Sequence, residues 1–251
     1  MNDTIIVVGL GEMGSVFSRG FLKLGHPVYP ATRTSNLTDL AKKVPNPHLV
    51  LVAVGEADLQ TSLDNLPGQW RNKTVLLQNE LLPRDWQGKL DNPTVISVWF
   101  EKKKGQDSKV IIPSPAYGPH ANLIKDALAT LDISCKVLNN KEELLFELVR
   151  KNVYILTSNL AGLVVGGNVS ELWAQHRDLA TNIVDDVLKI QEKLTETQLS
   201  AKPYIAGMIE AIEGDPNHKC MGRSAPQRLK RALQQAHDFN IETPALNRIE
   251  T

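Results

Sequence analysis

Three glycines near the N-terminus constrain the fold of this chain more than any other feature. Gly9, Gly11 and Gly14 follow an apolar run, Thr4–Val8, and precede a helix-like stretch that ends at Gly25. In a strand–turn–helix unit, the first glycine permits a tight turn, the second lets the backbone approach a pyrophosphate, and the third allows close helix packing. The spacing alone is a weak signal, but the flanking elements make it predict a dinucleotide-binding turn. The alternative is a glycine-rich turn that binds nothing.

Short apolar runs alternate with helical stretches through the first half of the chain. The predicted strands are Thr4–Val8, His26–Thr32, Leu49–Val54, Thr74–Leu77 and Thr94–Phe100. Strands separated by helices predict an α/β fold with a doubly wound, mostly parallel sheet, which is the Rossmann type. Turn-forming residues at 102–107, before Lys109–Ile112, predict a hairpin that extends the edge of this sheet.

The pattern changes after residue 139, where helical periodicity begins. Asn140 and Glu143 have the spacing of a capping box at a helix start. The predicted helical stretches are Glu142–Val165, Asn168–Thr195, Ala201–Glu213 and Ser224–Phe239. We therefore predict two domains, a dinucleotide-binding Rossmann domain at residues 1–139 and an all-helical C-terminal domain at residues 140–251.

Composition excludes several classes of function. The 28 basic and 28 acidic side chains give no net field to attract nucleic acid or an anionic membrane. Met1–Asp3 leads into Thr4–Val8 without the features of a secretory signal, and no apolar run reaches the roughly 18 to 20 residues of a membrane helix. Cys135 and Cys220 are too few for a disulfide framework, and His218 with Cys220 is too small a ligand set for a metal. We therefore expect a cytoplasmic protein without a metal site.

The end of the second predicted strand indicates which dinucleotide is bound. An acidic residue about twenty positions after the glycines would bond the ribose 2′-OH of NAD, but residues 29–36 contain no carboxylate. Arg33 can instead pair with a 2′-phosphate, and Thr34, Ser35 and Asn36 can donate hydrogen bonds to it. This favours NADP(H) over NAD(H), although Arg33 as an exposed loop cation is the alternative.

These motifs together resemble the ketopantoate reductase (2-dehydropantoate 2-reductase) family, which lies within the two-domain dehydrogenases that include the 6-phosphogluconate enzymes. The resemblance covers the chain nearly end to end. It rests on Gly9–Gly14, Val52–Val54, Glu56–Leu59, Leu77–Asn79, the helix that opens the second domain and the closing segment Ala236–Pro244, where Asn240 replaces a family glycine. It implies an oxidoreductase that transfers hydride from NADPH to a small 2-keto acid, in a cleft between the domains.

The resemblance also assigns roles to individual residues. Lys151 occupies the place of the family's general acid, Asn159 stands eight residues later, and Asn79 matches an asparagine beside the nicotinamide. A half-buried lysine can have its pKa pulled toward neutrality, which suits proton donation. Residues eight apart on a helix differ by about 80° and about 12 Å, so Lys151 and Asn159 could face one cleft. The alternative for Lys151 is a solvated helix lysine.

Three departures from the family bear on the substrate. Gly55 replaces a lysine after the third strand, and Ile155 replaces an asparagine between Lys151 and Asn159. The segment near Met221 also lacks the stretch that carries the family's substrate-binding glutamate. Arg223 could grip an anionic substrate in its place, the alternative being a solvated turn.

The candidate site residues follow from the motifs and the resemblance. The cofactor-binding residues are Gly9, Leu10, Gly11, Glu12, Met13, Gly14, Arg33, Thr34 and Asn79. The substrate-binding residues are Asn79, Asn159 and Arg223, with Lys151 as the catalytic acid. The expected partners are a small anionic substrate and, as one option, a second copy of the chain.

Three functions are open from the sequence. The first is NADPH-dependent reduction of a small 2-keto acid or related carbonyl compound. The second is a non-catalytic NADP(H)-binding sensor or partner protein that has lost the substrate-binding carboxylates. The third is reduction of another substrate class, such as an imine or a sugar acid. Asn79, Lys151 and Asn159 favour the first, whereas Gly55, Ile155 and the short segment at Met221 favour the others.

Overall fold

The computed structural model describes residues 4–250, so Met1–Asp3 and Thr251 of the predicted domains lie outside the described residues. The chain divides into two compact units, and the division falls between Glu147 and Leu148. That position lies inside one long helix, Lys141–Val165.

The first unit combines strands with helices in the alternation that the sequence predicts. Its strands are β1 (Ile5–Val8), β2 (Val28–Ala31), β3 (Leu49–Val52), β4 (Thr74–Leu76), β5 (Thr94–Ile96), β6 (Phe100–Glu101), β7 (Lys109–Val110), β8 (Ser114–Tyr117) and β9 (Cys135–Val137). Its helices are α1 (Glu12–Lys23), α2 (Leu37–Lys43), α3 (Leu59–Asp64) and α4 (Ala121–Ala129). Single-turn 3-10 segments lie at Glu56–Asp58 and Pro83–Asp85, and a longer one at Gly68–Lys73.

Seven of these strands form one sheet in the order β2-β1-β3-β4-β5-β8-β9. All neighbouring pairs in it are parallel except β5 with β8. Every residue of β1 and β3 is buried, as expected for central parallel strands covered on both faces. The predicted α/β class with a doubly wound, mostly parallel sheet is confirmed.

The predicted hairpin forms, but it does not extend the main sheet. β6 and β7 pair antiparallel as a separate two-stranded ribbon, with Phe100 opposite Val110. The edge of β5 is already taken by β8, where Val95 lies opposite Tyr117. The prediction that this hairpin lengthens the sheet edge is therefore wrong, because a later strand, which the sequence reasoning missed, occupies that edge.

The second unit is mainly helical. It contains most of α5 (Lys141–Val165), followed by α6 (Val169–Gln175), α7 (Arg177–Thr195), α8 (Ala201–Gly214), α9 (Ala225–Asp238) and α10 (Pro244–Glu250). The stretch predicted as one helix at Asn168–Thr195 is two helices, because the backbone leaves helical geometry at His176 (φ −129°, ψ 35°). No helix within residues 4–250 is long and apolar enough to cross a membrane.

Candidate functional site

The turn after β1 requires glycine at its first position. Gly9 has φ +92°, and a Cβ there would lie 2.7 Å from the carbonyl oxygen of Ala53, which follows β3. Gly9 N donates to Ala31 O at 2.8 Å, so the turn is tied to the end of β2 as well. The turn therefore sits at the carboxyl ends of three neighbouring strands, the edge where ligands bind in open α/β sheets.

The other two glycines differ in what surrounds them. A Cβ at Gly14 would lie 2.0 Å from Gly9 O, so α1 approaches the turn as closely as backbone atoms permit. Gly11 is the N-cap of α1, and its Cβ would meet no atom within 4 Å. The first N–H groups of a helix have no partner within the helix and attract negative charge. Gly11 leaves those groups uncovered, which is the arrangement expected of a phosphate-binding turn.

A pocket of about 940 Å³ opens beside this turn. It is lined by Val8, Gly9, Leu10, Gly11, Ala31, Thr32, Arg33, Ser35, Asn36, Leu37, Thr38, Ala53, Val54, Gly55, Asp58, Thr61, Ser62 and Asn65. Its volume is within the range of small-molecule and cofactor sites. Four predicted cofactor residues thus come together, namely Gly9, Leu10, Gly11 and Arg33.

Five further predicted cofactor residues do not line this pocket within the part of the chain that the structure describes. They are Glu12, Met13, Gly14, Thr34 and Asn79. Glu12 and Met13 form the first turn of α1, and Gly14 is buried against the glycine turn. Thr34 is exposed, with its hydroxyl 3.2 Å from that of Thr32.

Arg33 faces a carboxylate that sequence reasoning did not single out. Its Nη2 lies 3.9 Å from Asp58 Oδ2, and the two side chains are 97% and 60% exposed. Asp58 ends the 3-10 segment after β3 and lines the same pocket. The pocket therefore holds both charges, and a bound 2′-phosphate would be attracted by Arg33 and repelled by Asp58. A pair this exposed contributes little to stability, so Arg33 is available to a ligand.

Asn79 follows the last residue of β4 by three positions and comes directly after a buried anchoring residue, Gln78. Gln78 Nε2 donates to Val52 O at 2.7 Å and Val54 O at 3.2 Å, which ties the end of β4 to that of β3. Asn79 itself is exposed. Gln78 thus fixes the backbone that carries Asn79. The sequence alone does not show which of these two neighbouring amides has the structural role and which is exposed.

In the second unit, Lys151 and Asn159 lie on α5. Lys151 is half-buried, and Ile155 between them is buried. Asn159 is 8% exposed, and its Oδ1 accepts a hydrogen bond from Arg228 Nη1 at 2.9 Å. Arg228, on α9, is also 8% exposed. Sequence reasoning missed this buried arginine, because a basic residue on an amphipathic helix is normally expected to face solvent.

The loop before α9 is held against α5. A Cβ at Gly162 would lie 2.9 Å from Cys220 Cβ, and Cys220 N donates to Gly167 O at 3.1 Å. A Cβ at Gly222 would lie 3.6 Å from Asn159 Oδ1, so this loop passes close to Asn159. Arg223, the next residue, is exposed.

The same loop contains the two side chains considered as metal ligands. Burial raises the pKa of the Cys220 thiol to about 11, and the nearby charge of Glu171 adds to the shift. A thiol with so high a pKa is a poor ligand and nucleophile. His218 Nδ1 lies 3.8 Å from Asp215 Oδ2. Residues 4–250 contain no group of three His, Cys, Asp or Glu side chains placed to hold a metal ion.

No protein-family model and no curated protein sequence matches the chain. Solved structures do match it over nearly its full length. A 2-dehydropantoate 2-reductase from Methylococcus capsulatus aligns with TM-score 0.70 and 12% identity over 98% of this chain and 94% of that one. The dimeric ketopantoate reductase of Staphylococcus aureus aligns with TM-score 0.63 and 16% identity over 98% and 95%.

The chain has the fold of the ketopantoate reductases. The resemblance noted in the sequence is thereby confirmed at the level of fold. A D-mandelate dehydrogenase in complex with NADH has the same fold, with TM-score 0.66, 13% identity and coverage of 98% of this chain and 96% of that one. Structures with this fold therefore include enzymes named for different substrates.

Proposed function

We propose that this chain is an NADP(H)-dependent reductase of a small 2-keto acid or related carbonyl compound. The observation that carries the proposal is the contrast between the glycines. Backbone contacts explain why positions 9 and 14 require glycine, whereas a side chain at Gly11 would enter open space at the start of α1. The proteins with the same fold, 2-dehydropantoate 2-reductases and a D-mandelate dehydrogenase with NADH, support the reaction class. A small anionic substrate and a homodimer belong to the proposal, and the Staphylococcus aureus enzyme is described as dimeric.

The residues present fit a nicotinamide dinucleotide. Gly9–Gly11 and the N-terminus of α1 would hold the pyrophosphate, and Arg33 with Thr34 would hold the 2′-phosphate. When bound, the reduced cofactor supplies hydride to the carbonyl carbon. Asn79 would orient the reacting groups near the end of β4.

The substrate half of the proposal rests on the second unit. Lys151 would donate a proton to the carbonyl oxygen as it becomes an alkoxide, the step for which a positioned acid is needed. Asn159 would bind the substrate through a hydrogen bond, and Arg223 would attract its negative charge. None of these roles requires a metal ligand.

The direct test is NADPH oxidation, followed by absorbance, across a panel of 2-keto acids that includes 2-dehydropantoate and pyruvate. We expect turnover with at least one member. Tight NADPH binding without turnover on any of them would instead support the second candidate, a non-catalytic NADP(H)-binding protein. That candidate is favoured by one observation, the absence of any carboxylate between Asp215 and Asp238.

Arg33→Ala should weaken NADPH binding by about 10-fold while leaving NADH binding nearly unchanged, because only NADPH carries the phosphate that pairs with a guanidinium. Fluorescence titration with both cofactors measures the ratio. Arg19→Ala, an exposed arginine on α1 outside the pocket, is the matched control.

Asp58→Asn tests the effect of the opposing charge on the ratio of NADPH to NADH affinity. It should increase NADPH affinity on the order of twofold, the size of an exposed charge interaction. Equal losses for both cofactors in Arg33→Ala would show that Arg33 does not contact a 2′-phosphate.

A further inference from the structure

The contact between Arg228 and Asn159 fixes the orientation of the asparagine amide. Arg228 Nη1 donates to Asn159 Oδ1 at 2.9 Å, and both residues are 8% exposed. A guanidinium group carries five N–H donors and no acceptor. The amide can therefore meet it only through its oxygen, which directs Nδ2 away from Arg228.

The Nδ2 group of Asn159 retains capacity for a ligand. Its contact among residues 4–250 is with Ser158 Oγ at 3.5 Å, which is long for an N–H···O hydrogen bond. The Ser158 hydroxyl already donates to Tyr154 O at 2.7 Å. Because the amide nitrogen carries two N–H donors, at least one has no acceptor in the described part of the chain. Donors in so buried a position normally have one.

The guanidinium also sets the strength of this donor. A charged group bonded to the amide oxygen draws electron density from the amide, so its N–H groups become better donors. Such a donor gains most from an acceptor that is itself charged. Asn159 backed by Arg228 therefore favours a carboxylate oxygen over a neutral hydroxyl.

We propose that Arg228 is a positioning residue that makes Asn159 a dedicated hydrogen-bond donor to a carboxylate oxygen of the substrate. This inference rests on the proposed function, since that function makes Asn159 a substrate-binding residue. It goes further by naming the group that Asn159 recognises and the residue on which this recognition depends. It also gives α9 a part in the site, through the buried cation Arg228.

Four variants test the proposal, with oxalate as the probe and isothermal titration on protein saturated with NADP+. Asn159→Asp keeps the contact with Arg228 but removes the donor, so it should lose about 100-fold in oxalate affinity without a fall in Tm. Arg228→Met frees the amide to rotate and should lose about 10-fold. Arg228→Lys keeps the charge and should recover most of that loss. The control is Asn152→Asp on the same helix, where Asn152 Nδ2 donates to Gln191 Oε1 at 2.9 Å; it should change Tm but not oxalate affinity.

Wild-type affinity in Asn159→Asp or Arg228→Met, or no oxalate binding by the wild type, would overturn the inference. The NADPH oxidation panel separates this failure from that of the proposed function. If the wild type turns over a 2-keto acid and Arg228→Met does so with the same KM, the inference is wrong but the proposed reductase function is supported. Oxalate binding that depends on Asn159 and Arg228, without turnover on the panel, would support the inference and remove the reductase.

Discussion

Replacing Gly14 with alanine is expected to destabilise the protein by about 4 kcal/mol, which corresponds to a fall in Tm of about 10 °C. A Cβ at this position would lie 2.0 Å from the carbonyl oxygen of Gly9 and 3.1 Å from its carbonyl carbon. Both are backbone atoms in a turn held by Ala31 and Ala53, so the strain cannot be relieved by rotation of a side chain. Thermal unfolding followed by circular dichroism measures the effect.

Gly68→Ala is the matched control for this prediction. A Cβ at Gly68 meets no atom within 4 Å, so the same substitution should leave Tm within about 2 °C of the wild type. A Gly14→Ala variant as stable as Gly68→Ala would contradict the close packing of α1 on the glycine turn.

Lys151→Met is expected to lower the rate of NADPH oxidation with the best 2-keto acid by about 1,000-fold, the range assigned to a positioned general acid. NADPH affinity should change little, because the proposed role of Lys151 is proton donation to the substrate carbonyl, whereas the glycine turn is proposed to hold the pyrophosphate. Single-turnover kinetics by stopped flow separates the reduction step from cofactor binding.

Two further variants sharpen the interpretation of Lys151. Lys151→Arg keeps the positive charge but holds its proton too tightly to donate it, so its rate should stay near that of Lys151→Met if proton donation is the role. Lys141→Met, an exposed lysine at the start of the same helix, is the control. Wild-type rates in Lys151→Met would show that another group supplies the proton.

The glycine turn could be predicted from the sequence because its causes are local. The φ of +92° at Gly9 and the contact of Gly14 with Gly9 arise within six residues, and an apolar run with a helix marks both sides. The parallel strands β1 and β3 were visible for a similar reason, since unbroken apolar runs indicate burial on both faces.

The parts that could not be predicted depend on distant residues. β8 contains Pro115, which cannot donate to a strand ladder, so the segment Ser114–Tyr117 did not resemble a strand and the sheet edge was misplaced. Asn159 and Arg228 are 69 positions apart in the chain, and their contact depends on how α9 packs on α5. The charge of Asp58 opposite Arg33 likewise appears only once β2 and β3 are placed in the sheet.

The most direct test of the central claim is a titration of NADPH into the wild type and into Gly11→Ala, with Tm measured in parallel. A Cβ at Gly11 meets no protein atom within 4 Å, so the variant should fold and lose no more than the roughly 1 kcal/mol of a poorer N-cap. If the second glycine lets the backbone approach a pyrophosphate, the variant should bind NADPH about 100-fold more weakly. Absence of NADPH binding by the wild type, or equal affinity in both proteins, would contradict the assignment of this turn as the cofactor site.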